Sequence, residues 1–265
     1  MLETGATSES RPRESRVCLA SGAEVRFLSL PGQVPYEAAR TLQLELVEQR
    51  AAGRIPDTVL FLEHAPVVTR GRGLQVPQGA KAADQMRAMP LSEELLREKG
   101  ISIAESERGG DLTYHGPGQL VIYPIVKLDG GGLGARKDIH AHLRWLEGGL
   151  ISLIGAFGLK ASTRQDATGV WVGEGPAARK VASLGIAVRK WVTYHGMAVN
   201  VVNDLAPFHL ISPCGFSPEV MGRLQDLGPA FAESWSKTGW RLWLEAELAA
   251  RLCAGAHWAG VRWGS

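Results

Sequence analysis

The 265-residue chain is 45% hydrophobic and 21% charged, ordinary values for one soluble globular domain. Its formal net charge of +2 sets up no strong field toward nucleic acid or anionic lipid, and no apolar run approaches the ~20 residues of a membrane span. Three cysteines, Cys18, Cys214 and Cys253, are odd in number and widely separated, so reduced thiols in a cytoplasmic protein are expected rather than a disulfide framework.

The first 16 residues lack the apolar core of a signal peptide and read as a disordered tail. Residues 17–265 read as a single domain, because no Ser/Pro/Gly linker divides them. Ala38, Leu42, Leu46 and Val47 recur at helical spacing, which predicts a helix over Tyr36–Ala52 ended by Gly53. Thr58–Glu63 is a short apolar strand. Gln75–Ala88 is polar and weakly patterned, a surface excursion. Ser92 opens a capped helix that stops at Gly100, and Ile101–Ala104 is the next strand.

Arg108 to Pro124 reads R-G-G-D-L-T-Y-H-G-P-G-Q-L-V-I-Y-P. It is a loop dense in Gly and Pro, with Arg, Tyr, His and Gln interleaved, that leads into a buried strand over Leu120–Val126. Glycine lacks the Cβ that would keep a ligand away from the backbone, so such a loop suits close approach. Ile139, Leu143, Leu146, Leu150, Ile154 and Phe157 then mark the strongest amphipathic helix of the chain, ended by Gly158. Strands follow at Gly169–Val172, Val181–Val188 and Met197–Val201, and Trp240, Leu244, Leu248 and Leu252 mark a C-terminal helix. Helices and strands mix without regular βαβ alternation. That argues for an α+β fold with a mixed sheet.

Three blocks together resemble the lipoyl(octanoyl) transferase family: the Arg108 loop, A-R-K-V-A-S-L-G-I-A-V (Ala178 to Val188) with W-V-T-Y-H-G-M-A-V-N-V (Trp191 to Val201), and H-L-I-S-P-C-G-F (His209 to Phe216). Pro31 to Gln43 and Leu62 to Gly71 look like that family's opening blocks, so the resemblance spans Val25 to Leu227. It implies the fold of the biotin and lipoate protein ligases, with a mixed β-sheet flanked by helices. It also implies transfer of an octanoyl group from octanoyl–acyl carrier protein to a lysine of lipoyl domains. These belong to 2-oxoacid dehydrogenase E2 subunits and the glycine cleavage H protein. No cofactor and no metal are implied, and neither nucleic acid nor membrane is a partner.

The resemblance assigns Cys214 as the nucleophile and Lys180 as its cationic partner. A free thiol has a pKa near 8.5 and is mostly protonated at neutrality, so a neighbouring ammonium would favour the thiolate. When neutral, Lys180 could also accept a proton from the attacking amine. The acyl pocket would be lined by Arg108, Gly109, Gly110, Asp111, Leu112, Thr113, Tyr114 and His115, by Ser183, Leu184 and Gly185, and by Gly196, Met197 and Ala198. Burial of about six methylenes at ~0.8 kcal/mol each offers ~5 kcal/mol before ordering costs. Val220-Met221-Gly222-Arg223-Leu224 departs from the family's Val-Thr-Ser-Leu segment. His64, His115 and His195 carry no metal-ligand spacing and are read as hydrogen-bonding groups in loops. Arg70, Arg72, Arg136 and Lys137 are candidate contacts for an acidic carrier.

Two alternatives stay open. An ATP-dependent lipoate or biotin ligase shares the fold and needs no catalytic cysteine, but the chain has no G-x-x-x-x-G-K-[ST] phosphate loop. A non-catalytic lipoyl-domain binding relative would not need both Lys180 and Cys214.

Overall fold

The computed structural model describes residues 11–74, 93–133, 137–164, 168–211, 218–235 and 239–254. Cys214, Gln75–Ala88, Ser92 and Arg136 lie outside the described residues. The larger sheet has eight strands: β1 (Arg13–Cys18), β2 (Glu24–Val34), β3 (Asp57–His64), β7 (Gln119–Ile125), β11 (Val192–Asn200), β10 (Arg179–Arg189), β9 (Gly169–Val172) and β8 (Ala161–Ser162), in that spatial order. Only β2 and β3 run parallel in it, joined by helix α1 (Tyr36–Ala51). A second sheet places β4 (Val67–Arg70) between β5 (Ser102–Glu105) and β6 (Leu112–His115). Helices α2 (Glu93–Glu98), α3 (Ile139–Gly155), α4 (Pro229–Trp235) and α5 (Trp240–Cys253) complete the α+β architecture, a mixed sheet flanked by helices as expected.

Both faces of the large sheet are covered, which is why its central strands are nearly continuous apolar runs. On one face Leu60, Leu62, Val121 and Tyr123 pack against Ala39, Leu46 and Val47 of α1. On the other, Val59, Phe61, Leu120 and Ile122 join Leu150, Leu153 and Ile154 of α3 and Leu244 and Leu248 of α5. Alternate side chains of one strand therefore feed two cores.

Two expectations need correction. Residues 13–16 are part of strand β1, not of a disordered tail. Ser15 and Val17 turn inward, and the charges that disguise the strand find partners: Arg13 Nη2 donates to Glu245 Oε2 at 2.9 Å and Arg16 Nη1 to Glu24 Oε1 at 2.7 Å. Charged side chains on an edge strand also oppose unwanted pairing with another chain. Likewise Leu112–His115 is not loop but strand β6, fully buried and paired antiparallel with β4.

Helix α3 starts where the Asp138 carboxylate accepts a hydrogen bond from the Ala141 amide at 2.9 Å. One turn along, His142 is buried, and neither ring nitrogen has a hydrogen-bond partner among the described residues. Burial pushes its pKa from 6.5 down to about 4. The unfolded chain therefore binds the extra proton first as pH falls. Stability from this residue is complete above pH 6.5 and declines on acidification toward pH 4, by on the order of 2 kcal/mol at pH 5. Thermal melts of His142→Phe should lose less Tm between pH 7 and pH 5 than the parent protein; equal losses would contradict the assignment.

Candidate active site

Strands β10 and β11 meet in a hairpin whose two-residue turn, Lys190-Trp191, holds both residues at positive φ. The register places Gly185 opposite Gly196. A Cβ on Gly185 would lie 2.6 Å from the Gly109 carbonyl oxygen, and one on Gly196 would lie 2.7 Å from Pro124 Cδ. Only glycine at 185 lets the Arg108–Gly110 backbone settle directly on β10, where the Gly109 amide donates to the Ile186 carbonyl at 3.0 Å.

This close approach walls a cavity of about 440 Å³, within the range of small-molecule sites. From the motif loop and β6 it takes Arg108, Gly109, Gly110, Asp111, Thr113 and His115. From β10 come Lys180, Ser183, Leu184 and Gly185, and from β11 Gly196, Met197 and Ala198. Leu112 and Tyr114 face the other way, into the core between the small sheet and the chain around Phe208, Ile211 and Met221. Alternation along β6 separates these two from Thr113 and His115. Tyr36, Val121, Tyr123, Ile139, Leu143, Thr168, Ile186 and His195 also line the cavity. No local signal marked most of them, because α3, α1 and β7 reach the cavity only through tertiary packing.

Arg108 is buried, and its guanidinium is engaged by the protein itself. Nη2 donates to the Thr69 carbonyl at 2.8 Å and the Asp111 carbonyl at 2.7 Å, Nε to Thr69 Oγ1 at 3.1 Å, and Nη1 to the Gly109 carbonyl at 3.0 Å. Its contribution is to hold the glycine loop in shape on β4.

Lys180 is 4% exposed at one end of the cavity. Its stem runs where a Cβ on Gly169 would lie, 2.5 Å from Lys180 Cε, so the glycine of β9 leaves the slot open. Its ammonium lies 5.9 Å from the centre of the Trp171 ring. Met221 forms a parallel bridge with Lys180, and the Gly222 amide donates to the Lys180 carbonyl at 3.0 Å. Here the Met221-Gly222 departure becomes a structural contact: a Cβ on Gly222 would approach Arg179 Cβ to 2.7 Å.

The opposite end lies at Ile186 and His195, which are register partners. Six residues of β10 separate Lys180 from Ile186, a span of ~20 Å at ~3.3 Å per residue. His195 adopts φ +57, uncommon for a side-chain-bearing residue and typical of sites the surroundings over-determine. Gln43 Oε1 accepts from its amide at 2.7 Å, and its Nε2 lies 3.2 Å from Glu107 Oε2. Burial lowers the pKa of His195 despite that carboxylate. Bonds from His195 and Arg40 hold Glu107 well below the usual carboxylate range. His64 is also satisfied, with Nδ1 on the Val34 carbonyl and Nε2 on the Tyr123 hydroxyl, each at 2.8 Å. Burial brings it to about 4.

Of the residues read as carrier contacts, Arg70 is ion-paired with Glu93 and with Glu105 at 3.2 Å, within the small sheet and α2. Arg72 is exposed, and Lys137 lies 5.2 Å over the Trp191 ring.

A buried lysine in a cavity lined largely by apolar side chains and by the glycines of three segments is the kind of site an acyl-handling enzyme would need. The chain belongs to the lipoyl protein ligase A/B catalytic-domain family, matched over residues 35–236, and within it to the octanoyltransferases. It is 44% identical over 184 residues to an octanoyltransferase of Geobacter metallireducens, covering 69% of this chain and 75% of the relative. The corresponding figures for an octanoyltransferase of Gloeobacter violaceus are 44% over 200 residues, 75% and 79%. Among solved structures, a lipoate-protein ligase A bound with ATP superposes with a TM-score of 0.54 at 17% identity, covering 86% of this chain and 82% of that one. A bipartite lipoate protein ligase from Thermoplasma acidophilum, solved with its E2 lipoyl domain, gives 0.53 at 16% identity, covering 87% and 80%. At these identities the two structures speak for the fold alone.

Proposed function

We propose that the protein moves an octanoyl group from octanoyl–acyl carrier protein to the ε-amine of a lysine on lipoyl domains, through a thioester on Cys214. The cavity end at Lys180 carries the reading. There the chain that follows Cys214 is clamped to Lys180 by the Met221 bridge and the Gly222 amide. Cys18, exposed on β1, and Cys253, buried in the α3–α5 core, do not line the cavity. The Cys214 thiolate attacks the donor carbonyl, the carrier's thiolate leaves, and the lysine amine then attacks the enzyme thioester and expels Cys214. The first exchange is nearly isoenergetic and the second is downhill, so ATP is not required. E2 subunits and the H protein are the acceptors this reading favours.

Intact-mass spectrometry tests it. Incubation with octanoyl–acyl carrier protein should add one octanoyl group, and a lipoyl domain should remove it as an amide. An adduct that forms only with octanoate and ATP would instead support a ligase.

Chain length gives a second check. Losing four methylenes at ~0.8 kcal/mol each predicts a kcat/KM roughly 100-fold lower for butanoyl than for octanoyl donors. Equal use of both would contradict an acyl chain enclosed by Val121, Leu143, Leu184 and Met197.

A further inference from the structure

The cavity ends in polar rings, although Val121, Leu143, Leu184 and Met197 make its walls apolar. Tyr36, Tyr123 and His195 meet at the end away from Lys180, and His115 joins them through His64. Tyr36 lies parallel to His195 within 3°, at 6.4 Å between ring centres, and 5.5 Å from His64. Tyr123 lies 5.9 Å from His195 and 5.8 Å from His64, and His115 lies 5.4 Å from His64. None of the five is more than 5% exposed, and all but His64 line the cavity.

Their hydrogen bonds have a fixed polarity. The Val34 carbonyl can only accept, so His64 Nδ1 carries the proton and its Nε2 takes that of the Tyr123 hydroxyl. Asn200 Nδ2 donates to the Gly222 carbonyl at 3.0 Å, so Asn200 Oδ1 accepts from Gln119 Nε2 at 2.9 Å. Gln119 Oε1 therefore faces His115 Nδ1 at 2.8 Å, that nitrogen carries the proton, and Nε2 is a lone pair. His195 Nε2 faces the Glu107 carboxylate, which leaves Nδ1 as its lone pair. The Tyr36 hydroxyl is buried, with Ser106 beside it but outside bonding geometry. One O–H donor and two lone pairs thus have no hydrogen-bond partner among the described residues. Buried polar atoms left unpaired cost stability, and a protein keeps them where something else completes them.

We propose that this end of the cavity is a binding site for a hydroxyl group on the distal part of an acyl chain. The Tyr36 hydroxyl donates to the ligand oxygen, and the ligand's own proton goes to the lone pair of His115 or His195. The inference rests on the reading of the cavity as an acyl site and extends its ligands to hydroxyacyl chains. A hydroxyl suits the cluster because it donates and accepts at once; a keto oxygen meets Tyr36 alone, and a methyl group meets neither partner. Burial lowers the pKa of His64, His115 and His195, so near pH 7 the rings are neutral and the lone pairs are present.

Calorimetric titration with matched acids tests the site: octanoate against 8-hydroxyoctanoate, and decanoate against 10-hydroxydecanoate. The carboxylate is common to each pair, so the comparison reads the distal group. At an apolar end the hydroxyl, stripped of water, would weaken binding about tenfold or more. Here at least one hydroxy acid should bind as tightly as its alkanoate or more tightly. Tyr36→Phe deletes the donor and keeps the ring, and should shift the ratio of the two dissociation constants about tenfold against the hydroxy acid. If each hydroxy acid binds more weakly than its alkanoate, or Tyr36→Phe leaves the ratio unchanged, the cluster holds only water and the proposal fails. Such a failure, with the alkanoates still bound and octanoyl mass still acquired from the carrier, strikes the hydroxyl site alone. Absence of that octanoyl mass strikes the acyl-enzyme reading instead.

Discussion

Cys214→Ala should acquire no mass from octanoyl–acyl carrier protein and should lose turnover by about 10⁴-fold or more, while its Tm stays within a few degrees of the parent. The size of the effect follows from what is removed. Without a nucleophile the acyl group has no covalent station, and direct attack by a lysine on a carrier-bound thioester loses the two-step path. Cys18 and Cys253 offer no substitute, because one lies on an edge strand and the other within a core. Burial pushes the Cys253 thiol up to about 12, which leaves it unreactive near neutrality. Near-normal turnover in Cys214→Ala would remove the nucleophile, and with it the ping-pong scheme.

Elements with a strong local pattern were legible in the sequence. Helices α1, α3 and α5 and the apolar runs of β3, β7, β9 and β10 stand where their patterns predict. Leu146, Leu150 and Ile154 of α3 and Leu244, Leu248 and Leu252 of α5 are buried as their spacing requires. But α1 turns Ala39 and Gln43 inward beside Leu46 and Val47 and leaves Ala38 exposed, and Ile139 at the start of α3 is exposed. What escaped was structure held by partners distant in sequence. Strand β1 hides behind charges whose partners are Glu245 and Glu24. Strand β2 carries Pro31 and Gly32 at a register shift against β3. The β10–β11 hairpin turns on Lys190-Trp191, without the Asn-Gly or Asp-Gly signal such turns favour. The glycine loop announced a site through its composition. Its walls from Tyr36, Ile139 and Leu143 did not, since a helix residue facing a cavity has the same spacing as one facing a core. Gln119 and Asn200 are the instructive pair. Each is an unremarkable polar residue in its strand, and only their pairing across β7 and β11 discloses a directed hydrogen-bond chain.

Lys180→Ala should slow alkylation of Cys214 by iodoacetamide at least tenfold at pH 7 and move its pH midpoint upward, when read by peptide mass spectrometry. An ammonium close to a thiol stabilises the thiolate, typically by one to three pKa units, and the low exposure of Lys180 limits screening by water. The sign is fixed by charge. Removing the cation makes the thiolate costlier, so a higher pH is needed to form it. Cys18 serves as an internal reference, because it is exposed and does not line the cavity with Lys180; its alkylation should not change. Lys180→Arg should keep part of the effect, since the guanidinium is also cationic, but its planar fork does not fit the slot that Gly169 leaves for a slender stem. If Lys180→Ala alkylates at Cys214 with the parent's profile, lysine and cysteine do not communicate. The buried ammonium would then act on the acyl carbonyl or on the fold, and the thiolate would owe its reactivity to another group.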